Sequence, residues 1–220
     1  LAAALAHFGL EAGSTVFAPV EALFSPLWTQ TGRGAWEVIK AHFDRSMPLA
    51  RELGSRVMGM VIKSDEERDL LSQEEAAVEQ LRRAGDLAAA NGLLIGIEAL
   101  VSVPGLLLTT TRQTVALLER VGHPAVRMIF DTGHVQMMDG DVLAAYAGAR
   151  DHICTMQLSD MPGRVEPGAG TIDFSALLSE ARRDGNADGL IDLEHGWTER
   201  SAAAERAGIE ALRRIDASIS

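Results

Sequence analysis

Cysteine is almost absent from this 220-residue sequence. Cys154 is the one thiol, so no internal disulfide can form, and the chain reads as a protein of a reducing, cytoplasmic setting. Positive charge is also scarce. Twenty basic residues face 31 acidic ones, and a net charge of −11 is a poor match for a nucleic-acid phosphate backbone or an anionic membrane. No apolar run reaches the length of a membrane span. The opening residues, LAAALAHF, lack the basic leader and long apolar segment of a signal peptide. There is no G-x-S-x-G turn to present a nucleophilic serine, and no glycine-rich nucleotide loop after a strand. What remains is a chain 47% hydrophobic and 23% charged, enough to build the core of one domain over residues 1–220.

That material is arranged as alternating strand and helix patterns. A helical pattern over 1–8 closes at Gly9. LEAGSTVF, RVMGMVI, LLIGIEAL, VRMIFDTGH, ICTMQLSD and GLIDLEH then read as six strands, apolar on both faces as buried parallel strands are. Between and after them, helical patterns cover about 35–53, 73–91, 111–121, 139–150, 175–184 and 199–215, with Gly54 and Asn91-Gly92 as stops. Strict alternation predicts an α/β fold with a parallel sheet and helices outside it. The expected architecture is a TIM (β/α)8 barrel with about six of its eight strands represented. A strand, a helix and a second strand ahead of Leu1 would supply the deficit. Six strands leave a gap, expected between the strand near 10–17 and the one near 190–194. An open doubly wound sheet is the alternative, disfavoured by the missing nucleotide loop.

In such a barrel the C-terminal strand ends share one mouth, where active sites lie. Successive strands here end in Glu98, Asp131, Gln157 and Glu194. Each alone could be a capping or loop residue, and the D-x-x-H of Asp131 and His134 is weak evidence by itself. Together they form a set of hard oxygen donors, which favours Mg²⁺ or Mn²⁺ over Co²⁺ or Zn²⁺. A divalent ion would offset the cost of gathering three carboxylates. It would also polarise a substrate carbonyl and a neighbouring hydroxyl. The segment QLSDMPGRVEPGAG at 157–170 is stiffened by Pro162, Gly163, Pro167, Gly168 and Gly170. It either presents Arg164 to an anionic or hydroxyl-rich substrate or pairs it with Asp160 or Glu166. Trp28, Trp36, Phe17 and Phe24 could line the mouth or form a contact in a homo-oligomer, although core packing is the commoner fate of such aromatics.

Glu98, the D-T-G-H at 131–134, the QLSDMPGRVEPGAGTIDF stretch at 157–174 and the strand-ending Glu194 together resemble the hydroxypyruvate isomerase family of xylose-isomerase-like TIM barrels. The resemblance runs from about Gly92 onward. It implies one divalent metal on Glu98, Asp131, Gln157 and Glu194. Glu98 and Glu194 double as the acid/base pair, and His134 and Arg164 bind the substrate's oxygens. His195, beside Glu194, is a further candidate for the pocket. The implied enzyme is an aldose–ketose type isomerase of a small keto-acid or keto-sugar, acting by proton transfer through a metal-held enediolate. Ketose 3-epimerases and inosose isomerases or dehydratases are the neighbouring activities. Related epimerases carry His where this chain has Gln157. Where relatives often place Asn after the first glutamate, this chain runs Glu98-Ala99-Leu100-Val101-Ser102-Val103. A phosphodiesterase of the endonuclease IV type would need several zinc ions and more strand-end histidines. A catalytically inactive binding barrel is the non-enzyme alternative.

Overall fold

Side-chain caps and left-handed glycines punctuate the chain. A computed structural model describes residues 1–101, 103–187, 189 and 191–219. Ser102, in the loop after Glu98, and Asp188 and Leu190, at the turn and start expected for the sixth strand, lie outside the described residues. The elements run α1 (Ala2–Phe8), β1 (Ser14–Val16), α2 (Val20–Leu23), α3 (Arg33–Leu53), β2 (Val57–Met60), α4 (Leu70–Ala89), β3 (Leu94–Ile97) and α5 (Thr111–Val121). They continue as β4 (Val126–Asp131), α6 (Thr132–Asp139), α7 (Val142–Ala149), β5 (Ile153–Leu158), α8 (Phe174–Arg183), β6 (Ile191–Leu193) and α9 (Ala202–Ser218). Asp69, Thr110, Asp141, Asp173 and Ser201 each accept a backbone N–H from the first turn of the helix that follows. Gly9, Gly54, Gly122 and Gly140 end α1, α3, α5 and α6 at positive φ. Among the described residues no helix is long and apolar enough to cross a membrane.

The six strands form one parallel sheet in sequence order, β1 to β6, the curled sheet of a TIM barrel. Alternation then sorts the side chains. Met58, Ile95, Ile97, Met128, Phe130 and Met156 belong to the main core, together with Phe43, Leu81, Leu117, Leu118, Tyr146 and Leu177 from the helices. The other parity faces the barrel interior. There Val57, Gly59, Gly96 and Ile129 close up, and a Cβ on Gly96 would lie 2.5 Å from Ile129 Cγ1 and 3.0 Å from Val57 Cγ1. That parity places Asp131 and Gln157, at the ends of β4 and β5, and Val61, Glu98 and Glu194, one step past β2, β3 and β6, at the mouth.

Among the described residues the sheet does not close. β1 and β6 are its free edges. The carboxylate of Asp192 reaches from one edge to the other, accepting from Ser14 N at 3.3 Å and Ser14 Oγ at 3.1 Å. Val16 and Leu193 stand exposed there.

The interior packing yields a first prediction. Gly96→Ala should cost about 1–3 kcal/mol through overpacking against Ile129. Ile129→Ala in the same chain, which removes Cγ1, should recover part of that loss, read from urea unfolding as a coupling between the two changes. Strict additivity would show that Ile129 is not the neighbour that requires glycine.

Candidate active site

Asp131 is the hinge between β4 and α6, which follow one another with no loop between them. Its Oδ1 caps the helix, accepting from Gly133 N at 2.8 Å and His134 N at 3.0 Å, and it takes Ser159 Oγ at 3.3 Å. Thr132 Oγ1 donates to Ser159 O at 2.8 Å and accepts from Ser159 N at 2.9 Å, tying α6 to the end of β5. Glycine is required at 133 because a Cβ there would lie 2.2 Å from Ser159 Oγ. The D-T-G-H run is thus a strand end and helix cap combined. The sequence pattern placed these residues in the strand and started a helix near 139–141, so α6 is an element it did not show. The run turns the His134 ring toward β3, with Nε2 3.6 Å from Glu98 Oε1.

Asp160 organises the loop between β5 and α8. The carboxylate is fully buried and accepts four backbone N–H groups: Met161 at 2.8 Å and Ile172 at 3.0 Å on Oδ1, Gly168 at 2.9 Å and Gly170 at 2.8 Å on Oδ2. Asp160 and Val165 also exchange backbone hydrogen bonds. The loop is fastened to the segment after β6 by Gly196 N to Arg164 O and by Thr198, whose N and Oγ1 both donate to Glu166. Asp160 and Glu166 are therefore fully committed, and Arg164 pairs with neither. Arg164 Nη2 lies 2.7 Å from Asp131 Oδ2 and 3.1 Å from Glu194 Oε1 instead.

Glu98, His134, Gln157, Arg164 and Glu194 line a cavity of about 320 Å³ at the mouth, with Leu23, Phe24, Leu100 and Val103 on its apolar side. Among the described residues, Glu98, Asp131 and His134 each offer a ligand atom within 4.8 Å of the others. Glu194 sits beyond that group, on the far side of Arg164. Gln157 pairs in register with Asp131. Glu98 Oε1, Gln157 Oε1 and His134 Nδ1 are buried with no hydrogen-bond partner. His195 is the site candidate left outside: it bonds the Gly196 carbonyl and packs edge-on to Trp197, 4.8 Å between ring centroids. Of the aromatics, Phe24 lines the cavity, whereas Phe17 and Trp28 are core residues packed with Phe43.

The electrostatics follow from this crowding. Burial, then the charges of Asp131 and Glu194, push the Glu98 carboxyl up to about 8 against the weaker opposing pull of Arg164. Burial also raises Glu194, with Arg164 opposing and Asp131 assisting. Burial lowers His134, opposed by Asp131 and reinforced by Arg164, so the imidazole is neutral at physiological pH. A neutral imidazole, an amide oxygen and carboxylates, several of them with buried unpartnered atoms, suit a divalent cation. The donor set fits one.

A model of the xylose isomerase-like TIM barrel family matches residues 1–215. The chain belongs to that family. It is 31% identical over 132 residues to the hydroxypyruvate isomerase of Escherichia coli strain K12, an alignment covering 59% of this chain and 51% of that protein. It is 29% identical over 155 residues to the 2-oxo-tetronate isomerase of Pectobacterium atrosepticum, covering 65% of this chain and 58% of that one. The chain thus spans about half the length of the curated relatives it matches. Among solved structures, an AP endonuclease of family 2 from Brucella melitensis superposes with a TM-score of 0.83 over 95% of this chain and 81% of that chain. Its 22% identity speaks for the fold alone.

Glu98 sets a testable pH dependence. Its ordinary value is 4.5 and its folded value about 8, so between them the metal-free native state holds a proton that the unfolded chain has released. The stability that this proton confers is complete below the unfolded value and is lost as pH rises through the folded one. Glu194 adds in the same direction. Melting temperatures of EDTA-treated protein should fall across that interval, and Glu98→Gln should flatten the fall. A wild-type profile already flat there would contradict the buried-carboxyl assignment.

Proposed function

We propose that the chain carries a metal-dependent isomerase site for a small hydroxy-carbonyl compound, a keto-acid or keto-sugar, of the hydroxypyruvate isomerase type. The observation that carries this reading is that the Glu98 and Gln157 oxygens, buried with no hydrogen-bond partner, line one cavity, with Asp131 offering a ligand atom within 4.8 Å of those of Glu98 and His134. Glu98, Asp131, Gln157 and Glu194 would hold one Mg²⁺ or Mn²⁺, with His134 in ligand range of the first two. Such an ion supplies Lewis-acid polarisation of a carbonyl and its neighbouring hydroxyl. The isomerase names of the two curated relatives support the reading, and a net charge of −11 stands against a nucleic-acid substrate.

The chain's own residues account for the proton movements. Glu98 follows β3 and Glu194 follows β6, so the two carboxyls stand across the mouth from one another with β4 and β5 between. One takes the proton from the hydroxyl-bearing carbon beside the carbonyl, giving an enediolate; the hydroxyl proton passes to the former carbonyl oxygen, and the other carboxyl gives a proton to the former carbonyl carbon. Neutral His134 can donate a hydrogen bond to a substrate oxygen, and Arg164 faces the charge that develops on the enediolate. The wall of Leu23, Phe24 and Leu100 limits water around it.

Isomerisation of hydroxypyruvate and of small ketoses with saturating Mn²⁺ tests this. Glu98→Gln and Glu194→Gln should each lower kcat by about 10²–10⁴-fold while keeping a donor oxygen. Asp131→Ala should cost more in Mn²⁺ affinity than either. The wild type should exchange the substrate's carbon-bound proton with deuterated solvent, and the variant that lacks the abstracting carboxylate should lose that exchange. Near-wild-type rates and exchange in both variants would rule out the two-carboxylate mechanism.

A further inference from the structure

Arg164 occupies an unusual position for a residue expected only to hold substrate. Asp131 Oδ1 is saturated by two backbone N–H groups and Ser159, so Oδ2 is the oxygen left for the cavity. Arg164 Nη2 holds that oxygen at 2.7 Å and reaches Glu194 Oε1 at 3.1 Å. One nitrogen of a cation therefore bridges a carboxylate of β4 and one just beyond β6. The guanidinium is not otherwise satisfied, because its Nε is buried with no partner. What holds it there is the backbone: Arg164 has φ 52, a left-handed conformation that non-glycine residues rarely adopt. The Asp160–Val165 exchange and the bond from Gly196 N to Arg164 O pin that turn on both sides.

We propose that Arg164 is the resident counter-ion of the metal site. Its guanidinium holds Asp131 and Glu194 together in the metal-free protein, and it yields Asp131 Oδ2 when a divalent cation binds, which frees it to meet substrate. The loop need not move, since Asp160 and Gly196 fix the backbone and the long side chain alone can swing. Loading would then precede substrate binding, and the exchange couples the two events through one side chain. The inference rests on the metal reading above. It differs from a purely supporting role in sign: a residue that only orients Asp131 and Glu194 strengthens cation binding, whereas a resident counter-ion weakens it.

Calorimetric titration of Mn²⁺ into EDTA-treated wild type, Arg164→Gln and Arg164→Met decides the matter, with thermal unfolding of each protein in parallel. Both variants should bind Mn²⁺ on the order of 10-fold tighter than wild type, the scale of one charge-assisted hydrogen bond no longer given up. Without metal they should melt below wild type, and saturating Mn²⁺ should close that difference. Arg164→Lys, which keeps a charge but not the planar fork, should fall between and serves if the neutral variants do not fold. Equal or weaker Mn²⁺ binding in the variants overturns the proposal and makes Arg164 a support for the ligands. Absence of Mn²⁺ binding in every protein, wild type included, overturns the metal reading itself.

Discussion

Like charges brought together away from water govern this structure. Parallel strands deliver Glu98, Asp131 and Glu194 to one mouth, and carboxylates do not share a small cavity unless something offsets their repulsion. Three devices do so here. Glu98 takes up a proton, Asp131 gives one oxygen to a helix N-terminus and to Ser159, and Arg164 is carried in on a braced loop. Much of the local architecture serves these devices. The immediate start of α6 exists at the cap, Gly133 is small so that Ser159 can approach, and Asp160 spends its whole carboxylate on backbone amides to fold the loop that presents Arg164.

The strands and the side they present were legible because buried parallel strands leave a plain signature. They are short runs largely apolar on both faces, and the polar residues at their C-terminal ends fall on a definite parity. Glu98 lies two residues after Gly96 and Gln157 two after Thr155, so the interior face could be counted along the chain. The same count puts His195 on the opposite side from Glu194, which accounts for its packing on Trp197. Ser159, two beyond Gln157, was a countable interior position too, and its bond to Asp131 could have been anticipated.

Other features were hidden for reasons of distance and of competing signals. The apolar run through Phe130 masked the cap at Asp131, so the helix over Thr132–Asp139 read as strand and loop. Asp160 and Glu166 are the acids nearest Arg164 in sequence, yet backbone amides and Thr198 consume them. The partners Arg164 does take lie 33 residues back in β4 and beyond β6, and only the curl of the sheet brings them near. The bridge of Asp192 to Ser14 across the sheet edges is likewise invisible until the first and last strands face each other.

The central claim is that this mouth is a divalent-cation site built from hard donors. Crystals grown with Mn²⁺ and measured at the manganese absorption edge test it most directly. One anomalous peak per chain is expected, within coordinating distance of carboxylate oxygens of Glu98 and Asp131 and of the Gln157 amide oxygen. A mouth without such a peak, with Arg164 still bridging Asp131 and Glu194 at saturating Mn²⁺, would contradict it.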